Sequence, residues 1–414
     1  MTTQSEPPTQ TFTDRLLISM AIPAYRWIWL NSVFGTMRLI TVFIVRGWLV
    51  LMLTNSPFWV GAAPAVRGFT QILLGAFAGV LLDRINKRFA FLVTEVGTSL
   101  VALTLGLLVL TDQIQLWHIL AASVFEGMFM SVRWPAINTM IYETVGPERV
   151  LNASAAQMLG FNAGNIVASA IAGLIVATYG IGAGYLFAAI CGLIASGCIL
   201  FIRGNFQPKS ASSDPVFEAI REGVGYIWNY QALRLLIALA LLMSLLGWSN
   251  LSMLPVVARD ILQVDASGLG FLTTAGAIGS FLSTAYIAGL GDYDHKIWLI
   301  LRSGILTTIG ILLFATSTSY PLSLLLIFFM QAALMSFEVS ITAVVLLLTA
   351  DNMQGRVQGI YTQVFGFTWV GGIVLGSIAE FSSVPVAIIA GGIAIGLAVA
   401  LMWRTISRVE LKGA

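Results

Sequence analysis

Glu338 lies near the centre of an apolar run at 321–349, with Gln331 seven residues earlier on the same helical face. A second run, 117–141, carries Glu126 and Arg133, again seven residues apart and on one face. Arg38 and Arg46 fall in a third run and Arg67 in a fourth, while Glu95 sits early in a fifth. Ionisable groups inside such runs are costly unless paired or wet, so each marks a candidate site. A carboxylate enclosed in apolar surroundings and reached alternately from two sides can take up and release a proton. A neighbouring guanidinium stays charged and can hold an anionic group. Glu338 and Glu126 are therefore the proton-coupling candidates, and Arg38 and Arg133 the candidates for holding cargo. Asn31, Gln157, Gln331, Tyr361 and Gln363 supply further polar groups for a cavity, although each taken alone more often makes a helix-to-helix hydrogen bond. The competing reading of the charges is a set of fixed ion pairs. Arg38, Arg46, Arg67 and Arg133 outnumber Glu126 and Glu95, leaving a positive excess for water, a bound anion or acids of the second half to offset.

The elements that position these groups follow from composition. The chain has 414 residues, 58% hydrophobic and 10% charged, with a mean hydropathy of +0.90. Soluble domains carry about 25% charged residues, so the solvent for this chain is a bilayer. Spanning runs are read at 27–53, 58–82, 89–110, 117–141, 152–178 and 184–203, and after a polar stretch at 233–258, 268–290, 297–317, 321–349, 357–380 and 384–405. The expected fold is an all-α membrane protein of twelve transmembrane helices in two six-helix bundles. The segments are 1–26, an N-terminal cytoplasmic piece; 27–203, the first bundle; 204–232, a cytoplasmic linker; 233–405, the second bundle; and 406–414, a cytoplasmic tail. A net formal charge of +2 with no basic or acidic block argues against a nucleic-acid partner.

Orientation comes from the cations. Of the 21 Lys and Arg residues, Arg38, Arg46, Arg67, Arg133 and Arg302 lie within spans, and Arg259 alone falls in an odd-numbered loop. The other fifteen share the side of the termini and the even-numbered loops. That side is read as cytoplasmic. The N-terminal stretch lacks the basic start, apolar middle and cleavage site of a secretory signal. In the linker, Asp214-Pro215 followed by Phe217, Ile220, Val224 and Ile227 at helical spacing reads as an amphipathic helix on the inner leaflet. Cys191 and Cys198 are about 10 Å apart along one helix, too far to bridge.

The two halves repeat. Asp83-Arg-Ile-Asn-Lys87 corresponds to Asp292-Tyr-Asp-His-Lys296, Arg149-Val150 to Arg356-Val357, and Gly164-Asn-Ile-Val167 to Gly371-Gly-Ile-Val374. Six spans separate the repeats, so the halves share an orientation and a symmetry axis along the membrane normal. In the loop after the second span, Arg84, Lys87 and Arg88 beside Asp83 can reach acids of neighbouring helices, with Glu143 and Glu95 the candidates. With Asp292 and Lys296 of the second half they form a candidate cytoplasmic latch that opens as the halves rock.

Gly79-Val-Leu-Leu-Asp83-Arg84-Ile-Asn-Lys87-Arg88 resembles the signature loop of the major facilitator superfamily, with Asn86 where that loop has glycine. Gly47-Trp-Leu-Val50, Thr54-Asn-Ser-Pro57, Pro135-Ala136 and Pro147-Glu-Arg-Val-Leu-Asn152-Ala153 are similar to the branch of enterobactin exporters and macrolide-efflux proteins. The resemblance implies the major facilitator fold, and a central cavity lined by spans 1, 4, 7 and 10 that brings Arg38, Glu126, Arg133 and Glu338 towards one another. Ala122 stands where many drug exporters of that superfamily carry an arginine, so no proton site is carried over from that motif.

Enzymatic chemistry has no visible basis. Neither His118 nor His295 is followed by glutamate, no lysine follows a glycine, and there is no Gly-x-Ser-x-Gly or Cys-x-x-Cys. No metal or cofactor is expected. The expected activity is alternating-access efflux of an amphiphilic or anionic small molecule in exchange for protons, by a monomer in the inner membrane in contact with lipid. Proton-coupled uptake and a non-transporting role such as lipid scrambling are the alternatives.

Overall fold

The computed structural model describes residues 18–82, 84–204, 206–207, 216–290, 295–350 and 353–406. Six helices make up the first half: α1 (Pro23–Thr54), α2 (Pro57–Leu82), α3 (Lys87–Leu110), α4 (Leu116–Val145), α5 (150–179) and α6 (181–200). The linker helix α7 (Val216–Asn229) precedes α8 (Gln231–Ile261), α9 (Ala266–Gly289), α10 (Lys296–Thr316), α11 (Tyr320–Leu348), α12 (Gln354–Phe381) and α13 (Val384–Ile406). With α7 set aside, twelve helices have the length of a bilayer span, and no strand occurs among the described residues.

Local chemistry sets the helix ends. Pro23 and Pro57 open α1 and α2, where the missing N–H costs nothing. Asn55 closes α1 in the left-handed region (φ 49°) and returns its N–H to the Leu51 carbonyl, so only a short turn separates the first two spans. The Asn86 and Asp265 side chains cap α3 and α9 by accepting from the Phe89 amide and from the Ser267 and Gly268 amides. Gly180 (φ +84°, ψ 173°) divides α5 from α6 with no loop between them, a conformation open to glycine at little cost. Helix α8 contains two π-helical segments, Met243–Trp248 and Val257–Ile261, with Pro255 just ahead of the second.

The packing repeats between the halves. α2 lies on α4 as α9 lies on α11, α3 on α4 as α10 on α11, and α1 on α5 as α8 on α12. Two seams join the halves, α2 with α12 and α5 with α9, and the same pseudo-symmetry exchanges them. They close most tightly at the end remote from the linker, here termed the far end. There, Gly61 of α2 packs against Gly372 of α12, and Gly173 of α5 against Gly270 of α9. α4 and α11, which occupy equivalent places in the two halves, make no extensive contact with each other among the described residues. At the linker end α7 rests on α12, with Gly223 against Ile360 and Arg356, an ion pair between Glu222 and Arg356, and the Tyr226 hydroxyl accepting from the Ala350 amide at 3.2 Å.

Candidate functional site

The charges in the spans separate into three groups instead of one central constellation. In the first, Glu95 of α3 lies between two arginines: its Oε1 accepts from Arg133 Nε at 2.5 Å and its Oε2 from Arg38 Nη2 at 3.5 Å. All three side chains are buried, and Arg133 also faces the rings of Trp134 and Phe91 at 5.4 and 6.0 Å. In the second group Arg46 Nη1 donates to Glu126 at 2.7 Å and to the Ser123 hydroxyl at 3.3 Å. Arg67 stands near this pair, with its guanidinium carbon 4.2 Å from the ring centre of Trp369 on α12, so the contact crosses between halves. The third group belongs to the second half. Glu338 Oε1 accepts from the Tyr361 hydroxyl at 2.7 Å, that hydroxyl accepts from Thr342 at 3.0 Å, and the Trp248 indole faces the same carboxylate.

Between the halves lies a chamber of ≈ 90 Å³. Its walls are Ile40 and Phe43 of α1, Asn165 of α5, Trp248 and Leu251 of α8, Thr273, Gly276, Ala277 and Ser280 of α9, and Ile327 and Gln331 of α11. The lining is apolar and aromatic with a few neutral hydrogen-bonding groups, the usual make-up of a small-molecule site. Gln331 is 3% exposed and its Oε1 has no hydrogen-bond partner among the described residues. Glu338 lies two helical turns from Gln331 towards the linker end, is partly exposed, and touches the chamber through Trp248.

Several expected positions lie elsewhere. Arg38, Arg133 and Glu126 do not line the chamber, because each is engaged inside the first half. Asn31 donates to the Ala195 carbonyl at 2.9 Å and Gln157 to the Ser32 hydroxyl, both of them helix-to-helix bonds within that half. Gln363 packs near Gly75 on the seam of α2 and α12.

At the linker end Lys87 Nζ donates to Glu143 at 2.7 Å, while Arg88 donates to the Ile199 and Leu200 carbonyls and so caps α6. Arg84 is exposed and Lys296 opens α10. Asp83 and Asp292 lie outside the described residues. Glu95 is not part of this group: it sits two turns into α3, on the face turned to α1 and α4, which brings it to the buried arginines. Trp248, Phe43 and Trp369 are the site-forming residues that sequence reasoning missed. The π-helical turn that carries Trp248 has no sequence signal, although such turns often accompany functional sites.

The profile of a family described as transmembrane secretion effector matches residues 17–411. The chain is 24% identical to the enterobactin exporter EntS of Shigella flexneri over 343 residues, 82% of this chain and 81% of that one. The corresponding Escherichia coli exporter matches at 24% over 342 residues, with the same coverage of each chain. Among solved structures, the nucleoside transporter NupG superposes with a TM-score of 0.72 at 12% identity, covering 94% of this chain and 100% of the other. A bacterial homologue of the human lysosomal transporter Spinster, in an inward-facing and unoccupied conformation, superposes with a TM-score of 0.74 at 14% identity, covering 93% and 96%. At these identities the solved structures establish the fold, which is that of the major facilitator transporters.

Proposed function

Since the chain belongs to the transmembrane secretion effector family of major facilitator transporters, we propose that it exports an amphiphilic small molecule by alternating access, with Glu338 as the proton carrier. The observation that carries this reading is the placement of Glu338. It lies next to the chamber through Trp248, its Oε2 is buried with no hydrogen-bond partner, and it is held by neutral hydroxyl and indole groups without a cationic partner among the described residues. A carboxylate in that setting can change protonation without breaking an ion pair. Glu126, by contrast, is committed to Arg46.

The chamber also narrows the cargo. Arg38 and Arg133 both turn to Glu95 inside the first half, and no guanidinium is among the residues that line the chamber, so none faces an anionic group there. Aromatic and aliphatic walls with Asn165, Thr273, Ser280 and Gln331 suit an amphiphile that is neutral or cationic, with Glu338 able to trade a proton against a positive charge. The cation asymmetry supports a cytoplasmic linker end, so the halves close most tightly at the outer end. Membership in an exporter family supports the outward direction, and the chamber between the halves favours transport over a sealed, non-transporting assembly.

In proteoliposomes, an imposed pH gradient is expected to drive a fluorescent neutral or cationic amphiphile across the membrane. Glu338→Gln is expected to abolish that drive while leaving cargo-for-cargo exchange intact. Gradient-driven movement that persists in the Gln variant rejects Glu338 as the carrier, and a preference for anionic dyes rejects the cargo class.

A further inference from the structure

Arg46 and Arg67 share a single carboxylate. Arg46 Nη1 is taken by Glu126 and Ser123, but its Nη2 meets no hydrogen-bond partner among the described residues. Arg67 forms no ion pair among them; its guanidinium rests on the Trp369 ring and its Nε is likewise without a partner. Arg46 is 1% and Arg67 3% exposed. Two guanidiniums against one carboxylate leave a positive charge enclosed at membrane depth. An aromatic face attracts a cation but does not neutralise it, and an uncompensated buried charge is among the most destabilising features a fold can carry.

Beside Arg46 lies a small cavity of ≈ 10 Å³, bounded by Phe43, Gly47, Val60 and Pro64 of the first half and by Ser252 and Pro255 of the second. That volume suits one single-centre occupant. The geometry points to a binding site for a halide-sized monovalent anion, held by the free Nη2 of Arg46 and the Ser252 hydroxyl, with Arg67 supplying the charge that the anion balances. Because the cage draws walls from both halves, occupancy stabilises closure at the far end, and parting of the halves there dismantles the site. The inference is independent of the cargo and of Glu338.

The test uses the full chain in detergent. Thermal unfolding is followed at constant ionic strength as gluconate is replaced by chloride or bromide. The expected result is a saturable rise in the melting point with either halide. Arg67→Met removes the excess charge and is expected to erase the halide response while matching, in gluconate, the melting point of the wild type in chloride. Ser252→Ala, which alters no charge, is expected to shift the halide titration to higher concentration. Bromide is expected to give an anomalous diffraction peak between Arg46 and Ser252. Equal melting points in gluconate and chloride mean that the cavity holds water only, and overturn the proposal. A halide response that survives unchanged in Arg67→Met overturns it as well.

Discussion

Glu380, in the last turn of α12, accepts from the backbone N–H of Phe58 at 3.3 Å and from the Ser56 hydroxyl at 2.8 Å, so a carboxylate of the second half caps the N-terminus of α2 in the first. Arg259, at the end of α8, makes the complementary contact, donating to the Leu51 carbonyl at 3.3 Å and to Asn55 Oδ1 at 2.8 Å where α1 ends. Each charge has the sign that its helix terminus favours. The turn between α1 and α2 is thus gripped from both sides, and opening at the far end must release both contacts.

Neutralising the grip in the double variant Glu380→Gln with Arg259→Gln is expected to favour far-end opening by roughly two- to five-fold per charge, less at high salt. The measurement is the reaction rate of Ser252→Cys with a membrane-impermeant maleimide, in a background where Cys191 and Cys198 are replaced by alanine. An unchanged rate removes these residues from the gate.

Gly61→Ala acts on the same closure by sterics. A methyl group there would stand 1.9 Å from the Gly372 carbonyl oxygen, which is backbone and has no rotamer to yield. Overpacking of this kind costs about 1–3 kcal/mol, charged here against the far-closed state and not against either bundle. Labelling at position 252 should rise and transport fall, with little change in melting point. A large loss of melting temperature would place the contact in folding rather than in gating.

Glu95→Gln leaves Arg38 and Arg133 buried face to face, and breaking a buried pair in this way costs about 3–5 kcal/mol. Glu222→Gln removes the partner of Arg356 at an exposed position on the linker helix, where such pairs contribute about 0–1 kcal/mol. Melting curves should therefore separate the two variants widely. Equal stability would contradict the closed triad around Glu95.

Asp265 caps α9 where that helix meets α5. The Ser267 hydroxyl and then the Gly268 amide hold its carboxyl below the ordinary aspartate range. A value depressed on folding stabilises the protein above the unfolded value of about 3.9, and the benefit fades as pH falls through the lower folded value. Asp265→Ala should cost about 1 kcal/mol at neutral pH, and the gap to the wild type should close in acid. A gap that persists at a pH below the folded value would show that packing, not the ionised cap, is responsible.

Much of this architecture is legible along the chain because its causes are local. Apolar runs of bilayer length, Pro23 and Pro57 at helix starts, and the caps Asn86 and Asp265 mark the helix ends without reference to any distant residue. The expected runs lie within a few residues of the observed helices, and the separation of Lys87 from Glu143 by two spans was compatible with the pair they form. The break at Gly180 shows the limit of that reading. Two spans read as separate runs are joined there through one residue in the left-handed region, where a loop of a few residues was expected.

Twelve bilayer crossings in two like halves, with charges inside them, can be read along the chain, since hydropathy and helical period are properties of neighbouring residues. Which charges meet depends on how the helices pack. Glu126 and Arg133 share a helical face, yet seven residues separate them by about 10 Å along the axis, so each is served by a different depth of α1: Glu126 by Arg46, and Arg133 through Glu95 by the level of Arg38. The rotation and depth of one helix against another depend on the whole packed bundle. For that reason the arginines expected in the chamber are held inside the first half, and Glu338, Tyr361 and Trp248 are left beside it.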